Sequence, residues 1–108
     1  MGNQKVIMNL KVELFKVLAH PARIQILKLL ESDERCVCEL IEEMGVEQSN
    51  LSQHLSILKK QGLIASRKDG TRVFYTALYP TVIEILQLAE ALVIEQVNQS
   101  KTLLQDVK

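Results

Sequence analysis

Residues Glu47–Ile64, EQSNLSQHLSILKKQGLI, decide how this chain is read. Leu51, Leu55 and Leu58 recur at helical spacing and form one apolar stripe. Away from that stripe, near the start, stand Gln48, Ser49, Asn50, Ser52 and Gln53. These short, uncharged side chains both donate and accept hydrogen bonds, where an ordinary solvent face would carry Glu and Lys. Base edges in a DNA major groove require that chemistry. Lys59 and Lys60 follow, and Gly62 stops the helix. The stretch has the properties of a DNA recognition helix.

The preceding segment predicts a helix from Cys36 to Met44, ended by Gly45 a few residues before the recognition helix. Helix, short glycine turn, helix is the helix-turn-helix arrangement. Further upstream, Val6–Ala19 has Ile7, Leu10, Leu14 and Val17/Leu18 on one face. His20-Pro21 interrupts it, with His20 expected to cap a second helix that Pro21 opens and Leu30 closes. Ile24, Leu27 and Leu30 are expected to point inward. Downstream of Gly62 the period changes. Leu63–Lys68 and Arg72–Leu78 read as two strands joined by Asp69-Gly70, a hairpin signal. A basic hairpin after a recognition helix is a wing. Pro80 opens a last helix reaching about Gln105, whose apolar residues, with Leu103 and Leu104 at its far end, are too many for one small core. A second chain is expected to cover them, together with the first helix.

The fold class is therefore mainly α with a small β-hairpin, a winged helix-turn-helix in one domain spanning 1–108. The 108 residues are 47% hydrophobic but only 4% aromatic, so the core must be aliphatic. No run of about 18 apolar residues suggests a membrane span, and the N-terminus lacks a signal-peptide pattern. Gly2 does not begin a convincing myristoylation motif. A cytoplasmic protein with no membrane partner is expected. Net charge is zero, but residues 1–30 carry +4, residues 31–47 carry −6 and residues 48–79 return to +4. The last basic block adjoins the recognition helix, where phosphates would lie. Two cysteines do not make a disulfide framework. No glycine-rich phosphate loop, metal-ligand spacing of His and carboxylate, or nucleophile with a base suggests an enzyme. A winged helix used only for protein–protein contact would instead need an acidic or apolar reading face.

The chain resembles the ArsR/SmtB family of bacterial repressors. The resemblance is carried by Phe15-Lys16-Val17-Leu18-Ala19-His20-Pro21-Ala22-Arg23 with Ile26-Leu27, by Cys36-Val37-Cys38-Glu39-Leu40, by Gln48–Leu55 and by Gly62-Leu63. It covers Leu14 to about Leu104. It implies a homodimer, paired through first and last helices, on an inverted-repeat operator in double-stranded DNA, released by ligand. By position, Gln48, Ser49, Ser52 and Gln53 are expected at bases or nearby phosphates. Asn50 and Lys59 share that surface, and Arg67, Lys68 and Arg72 are expected at the flanking backbone. His54, beside inward-facing Leu55, is expected to be structural.

Cys36-Val37-Cys38 is the candidate sensor. Both cysteines are expected in the first turn of the third helix, where the dipole favours their thiolates, which soft metals bind. On a regular helix they stand about 200° apart, flanking the buried Val37 stripe on opposite sides with neither at the centre of the core. Joint binding of one ion would then unwind the helix start and misalign the reading head. The motif resembles the family's sensors of As(III)/Sb(III) and of Cd(II)/Pb(II). It departs from the first at Ile41, where a third cysteine is often found, and from the second in an N-terminal arm offering only Met1 and Met8. The zinc-sensing layout is rejected, because Glu84, Glu90, Glu95 and Asp106 have no His beside them on the last helix. Oxidation or persulfidation of the same thiols is the alternative.

Overall fold

The computed structural model describes residues 2–106, with side chains to Lys101. Met1 and the side chains of Leu103, Leu104 and Asp106 lie outside the described residues. The order is α1 (Gly2–Leu18), α2 (Pro21–Leu29), β1 (Arg35–Cys36), α3 (Val37–Met44), α4 (Gln48–Lys60), β2 (Ile64–Asp69), β3 (Arg72–Ala77) and α5 (Pro80–Asp106).

Local chemistry sets the boundaries. His20 is extended (φ −151°, ψ 129°), and its Nδ1 accepts from the Ala22 N–H at 3.1 Å, while Pro21 has no donor to leave unpaired. The predicted cap is present. Gly45, at φ 63°, ends α3 and donates its N–H to the Ile41 carbonyl. That left-handed residue, unstrained only as Gly, turns the chain from α3 into α4. Gly70, at φ 64°, serves the hairpin between β2 and β3.

The core is aliphatic, as composition requires. Ile26, Leu27, Leu40, Leu51 and Leu58 have no exposed surface, and Leu18, Leu30, Leu55, Leu63, Ile64, Val82 and Ile83 complete the cluster. Each such side chain contributes about 1.5–3 kcal/mol by leaving water. Together they join α2, α3, α4, the sheet and the start of α5 in one cluster. The predicted α4 stripe is buried, whereas Gln48, Ser49, Asn50, Ser52 and Gln53 are exposed.

Two details differ from the sequence reading. The sheet has three antiparallel strands in the order β1-β3-β2, because Arg35 pairs with Tyr75 and Cys36 with Phe74. A strand of two residues whose partner lies far along the chain leaves no periodic signal. Ile24 is 40% exposed; it lines a groove with α5 instead of entering the core. The apolar residues of α1 and α5 exceed what the core covers, as their number in the sequence implies: of α1 Leu18 is buried while Ile7, Leu10 and Phe15 are exposed, and of α5 Val82 and Ile83 are buried while Leu88, Leu92 and Val93 are exposed.

Candidate nucleic-acid interface and thiol site

Helix α4 presents its polar residues as a free surface. Among the described residues, no protein hydrogen bond is made by the side chains of Gln48, Ser49, Asn50, Ser52 or Gln53, so their donors and acceptors are available. His54 does the opposite. It is buried, its Nδ1 accepts from Arg23 Nε at 3.3 Å, and its ring centroid lies 4.3 Å from that of His20. Burial, then the neighbouring His20 and Arg23, push its pKa below the ordinary histidine value. A neutral imidazole that accepts from Arg23 ties the recognition helix to α2, which is a structural role. Arg23 also donates to the Val17 carbonyl at 3.1 Å, so one guanidinium joins α1, α2 and α4.

The wing cations divide into two kinds. Lys68 and Arg72 are exposed and make no side-chain bond among the described residues. Lys59 donates to Ser66 Oγ at 2.7 Å, joining the end of α4 to β2. Arg67 is engaged more fully. Its Nε donates to Glu34 Oε2 at 2.9 Å, its second terminal nitrogen donates to Glu34 Oε1, and its guanidinium carbon lies 4.6 Å from the Phe74 ring centroid. The Arg67 hydrogen bonds hold the Glu34 carboxyl below its usual pKa and raise that of Arg67. Arg67 was expected to face the DNA backbone; here it fastens the wing to the segment before β1. The opposite charges of residues 31–47 and 48–79 were the available signal for this pairing.

The cysteines are arranged differently from the helical expectation. Cys36 ends β1 and is the N-cap of α3, with extended φ −77° and ψ 158°, so only Cys38 lies in the helix. The Glu39 N–H donates to Cys36 Sγ at 3.2 Å, and the Cys36 N–H donates to Glu39 Oε1 at 3.0 Å, a reciprocal capping box. Arg35 braces it, reaching Glu39 Oε2 at 3.5 Å and the Leu29 carbonyl at 3.2 Å. Because the chain changes direction at the cap, the sulfurs meet, and Cys36 and Cys38 are joined as a disulfide. The predicted separation of about 200° assumed two helical residues, and α3 need not unwind to bring them together. Cys36 is also buried, at 2% exposure, whereas Cys38 is exposed, so the two do not flank the stripe alike as expected.

The pair opens on the reading head. Cys36, Val37, Cys38 and Ile41 form one wall of a 340 Å³ cleft. Gln48, Ser52 and Leu55 of α4 form another, and Thr71, Arg72, Val73 and Tyr75 of the wing close it. Cys36 is moreover the direct strand partner of Phe74, the residue beneath Arg67. The two sulfurs therefore adjoin α4 and the wing through the cleft, and Cys36 adjoins β3 through the sheet.

A recognition helix with an open polar face, followed by a basic hairpin, defines a winged helix-turn-helix protein of the DNA-binding class. The family model described as "Bacterial regulatory protein, arsR family" matches residues 20–66. A helix-turn-helix transcriptional regulator of Mycobacterium tuberculosis, Rv0081, is 41% identical over 100 residues, covering 92% of this chain and 88% of that protein. Its crystal structure superposes with a TM-score of 0.78 over 86% of this chain and 94% of the other. Reduced HlyU from Vibrio cholerae superposes with a TM-score of 0.75 at 35% identity, over 85% and 97% of the two chains. The homodimeric winged helix-turn-helix DNA-binding domain Mb0332 of Mycobacterium bovis gives 0.80 at 27% identity, over 92% of each. The chain belongs to the ArsR family of bacterial transcriptional regulators. Within the described residues, no helix is long and apolar enough to cross a membrane.

Proposed function

We propose that the protein is a homodimeric, cytoplasmic repressor that holds an inverted-repeat operator through α4 and the wing and lets go when Cys36 and Cys38 are oxidised to a disulfide. One observation carries the redox part: the cysteine pair shares a cleft with Gln48 and Ser52 of the reading face and Arg72 of the wing. In the reduced protein a thiolate at the N-cap of α3 is favoured by the helix dipole and by the Glu39 N–H. Oxidation removes that charge and draws Cys38 onto Cys36. Both changes fall on the wall of the cleft that the cysteines share with Gln48 and Ser52 of the reading face and Arg72 of the wing, while α3 and the β1–β3 pairing stay formed. Dimerisation is supported by the uncovered apolar faces of α1 and α5 and by the homodimeric Mb0332 neighbour.

A second reading uses the same sulfurs as ligands for As(III)/Sb(III) or Cd(II)/Pb(II). Adjacent soft donors favour it. Against it, no group of three or more Cys, His, Asp or Glu side chains suited to an ion occurs among the described residues of one chain. The separating experiment is operator binding by fully reduced protein, titrated with arsenite, with cadmium and with diamide. Release by diamide alone supports the disulfide switch. Release at near-stoichiometric arsenite or cadmium under strictly reducing conditions replaces it with metal sensing.

A further inference from the structure

The cleft beside the cysteines has the composition of a small-molecule site: an apolar lining with a few convergent polar groups. Val37, Ile41, Leu55, Val73 and Tyr75 supply the apolar part, and Gln48, Ser52 and Arg72 the polar part. Those three polar side chains have no protein partner among the described residues. The two sulfurs at the wall are unequal. Cys38 is exposed and open to a solute, whereas Cys36 is 2% exposed and bonded to Cys38.

We propose that this cleft docks small anionic disulfides, oriented by Arg72, which thiolate Cys38 and are then displaced by Cys36. This deepens the thiol reading of the same pair by naming its oxidant class. In the first step the Cys38 thiolate attacks one sulfur of R–S–S–R. The Cys38–S–S–R bond forms, the old S–S bond breaks and RS⁻ leaves. In the second, the Cys36 thiolate attacks the Cys38 sulfur, closing the Cys36–Cys38 disulfide and expelling the second RS⁻. Two protein thiols lose two electrons, the small disulfide gains them, and the two thiol protons pass through solvent to the released thiolates. Because Gln48, Ser52 and Arg72 serve both the cleft and the DNA-facing surface, docked disulfide and operator compete for the same groups.

The test uses fully reduced protein with dithiodiglycolate, a dianion, and cystamine, a dication, each adduct located by mass spectrometry after acid quench. Cys36→Ser should accumulate a mixed disulfide at Cys38. Cys38→Ser should be modified at Cys36 at least about tenfold more slowly, since buried thiols react poorly. Arg72→Glu should lower the anion-to-cation rate ratio by about tenfold, from reversal of one nearby charge; intrinsic probe reactivity cancels in that comparison. Bound operator DNA should slow thiolation of the wild type. A rate ratio indifferent to Arg72→Glu, or equal modification of Cys36 in Cys38→Ser, overturns the proposal. If thiolation follows Arg72 but the disulfide form still binds operator as tightly as the reduced form, the docking site stands and the switch fails.

Discussion

At the scale of single residues, α4 separates folding from reading. Leu55 is 1% exposed within the core cluster, and Leu55→Ala should cost about 2–5 kcal/mol of stability, measured by chemical denaturation. Ser52→Ala and Gln53→Ala, on the exposed face, should leave stability nearly unchanged and weaken specific DNA binding by about 1–3 kcal/mol where base contacts are lost. Unaltered operator affinity in both would refute the assigned face. His54 gives a pH prediction with a definite sign. Its folded pKa lies below the unfolded value, so the folded state binds fewer protons and stability rises with pH. The contribution is complete above the ordinary histidine value of about 6.5 and is lost as pH falls through the lower folded value. Thermal midpoints measured down that range should fall less for His54→Gln than for the wild type. The role of His54 was legible because its neighbour Leu55 faces inward; its contact with Arg23 was not, because that pairing spans two helices.

At the scale of elements, the wing is held by a contact that competes with DNA. Arg67 is paired with Glu34, so a cation the sequence assigned to phosphate is already neutralised. Glu34→Gln should free it, tightening DNA binding and steepening the salt dependence of log K by about one unit. Titration of operator affinity against salt decides this, and an unchanged slope would mean that Arg67 never reaches the backbone. The elements were legible wherever local pattern suffices: the α4 stripe, the His20-Pro21 break, the Gly45 turn and the Asp69-Gly70 hairpin. Strand β1 was not legible. Its two residues exist as a strand only because β3 lies alongside, and their pairing moves Cys36 out of α3 and into the cap. That one missed element altered the reading of the thiol site, since two cysteines on one helix diverge, whereas a cap cysteine and a helical cysteine meet.

At the scale of the whole molecule, the chain is elongated, 62 × 44 × 23 Å, with helices α1 and α5 extending beyond the core they serve. Phe15 is 59% exposed on α1 and Leu92 55% exposed on α5, amid further apolar neighbours. A groove between α2 and α5, lined by Ile24, Leu86, Val93 and Ile94 among others, continues the uncovered surface. Such area on a small domain marks an interface. Sedimentation should find a dimer, and Leu92→Glu should shift it to monomer with loss of operator binding while the winged core stays folded. A dimer that survives Leu92→Glu would move the interface elsewhere. The excess of apolar residues in α5 was visible in the sequence, because it exceeds what so small a core can cover.

These scales converge on the thiol pair, where one buried and one exposed sulfur stand between the helix that reads DNA and the strand that carries the wing. The most direct test is the affinity of a single preparation for its operator, fully reduced, oxidised to the Cys36–Cys38 disulfide, and reduced again with dithiothreitol. The proposed switch predicts tight binding, loss of binding and recovery, with Cys38→Ser remaining bound under the same oxidation. Equal affinity in all three states would contradict it.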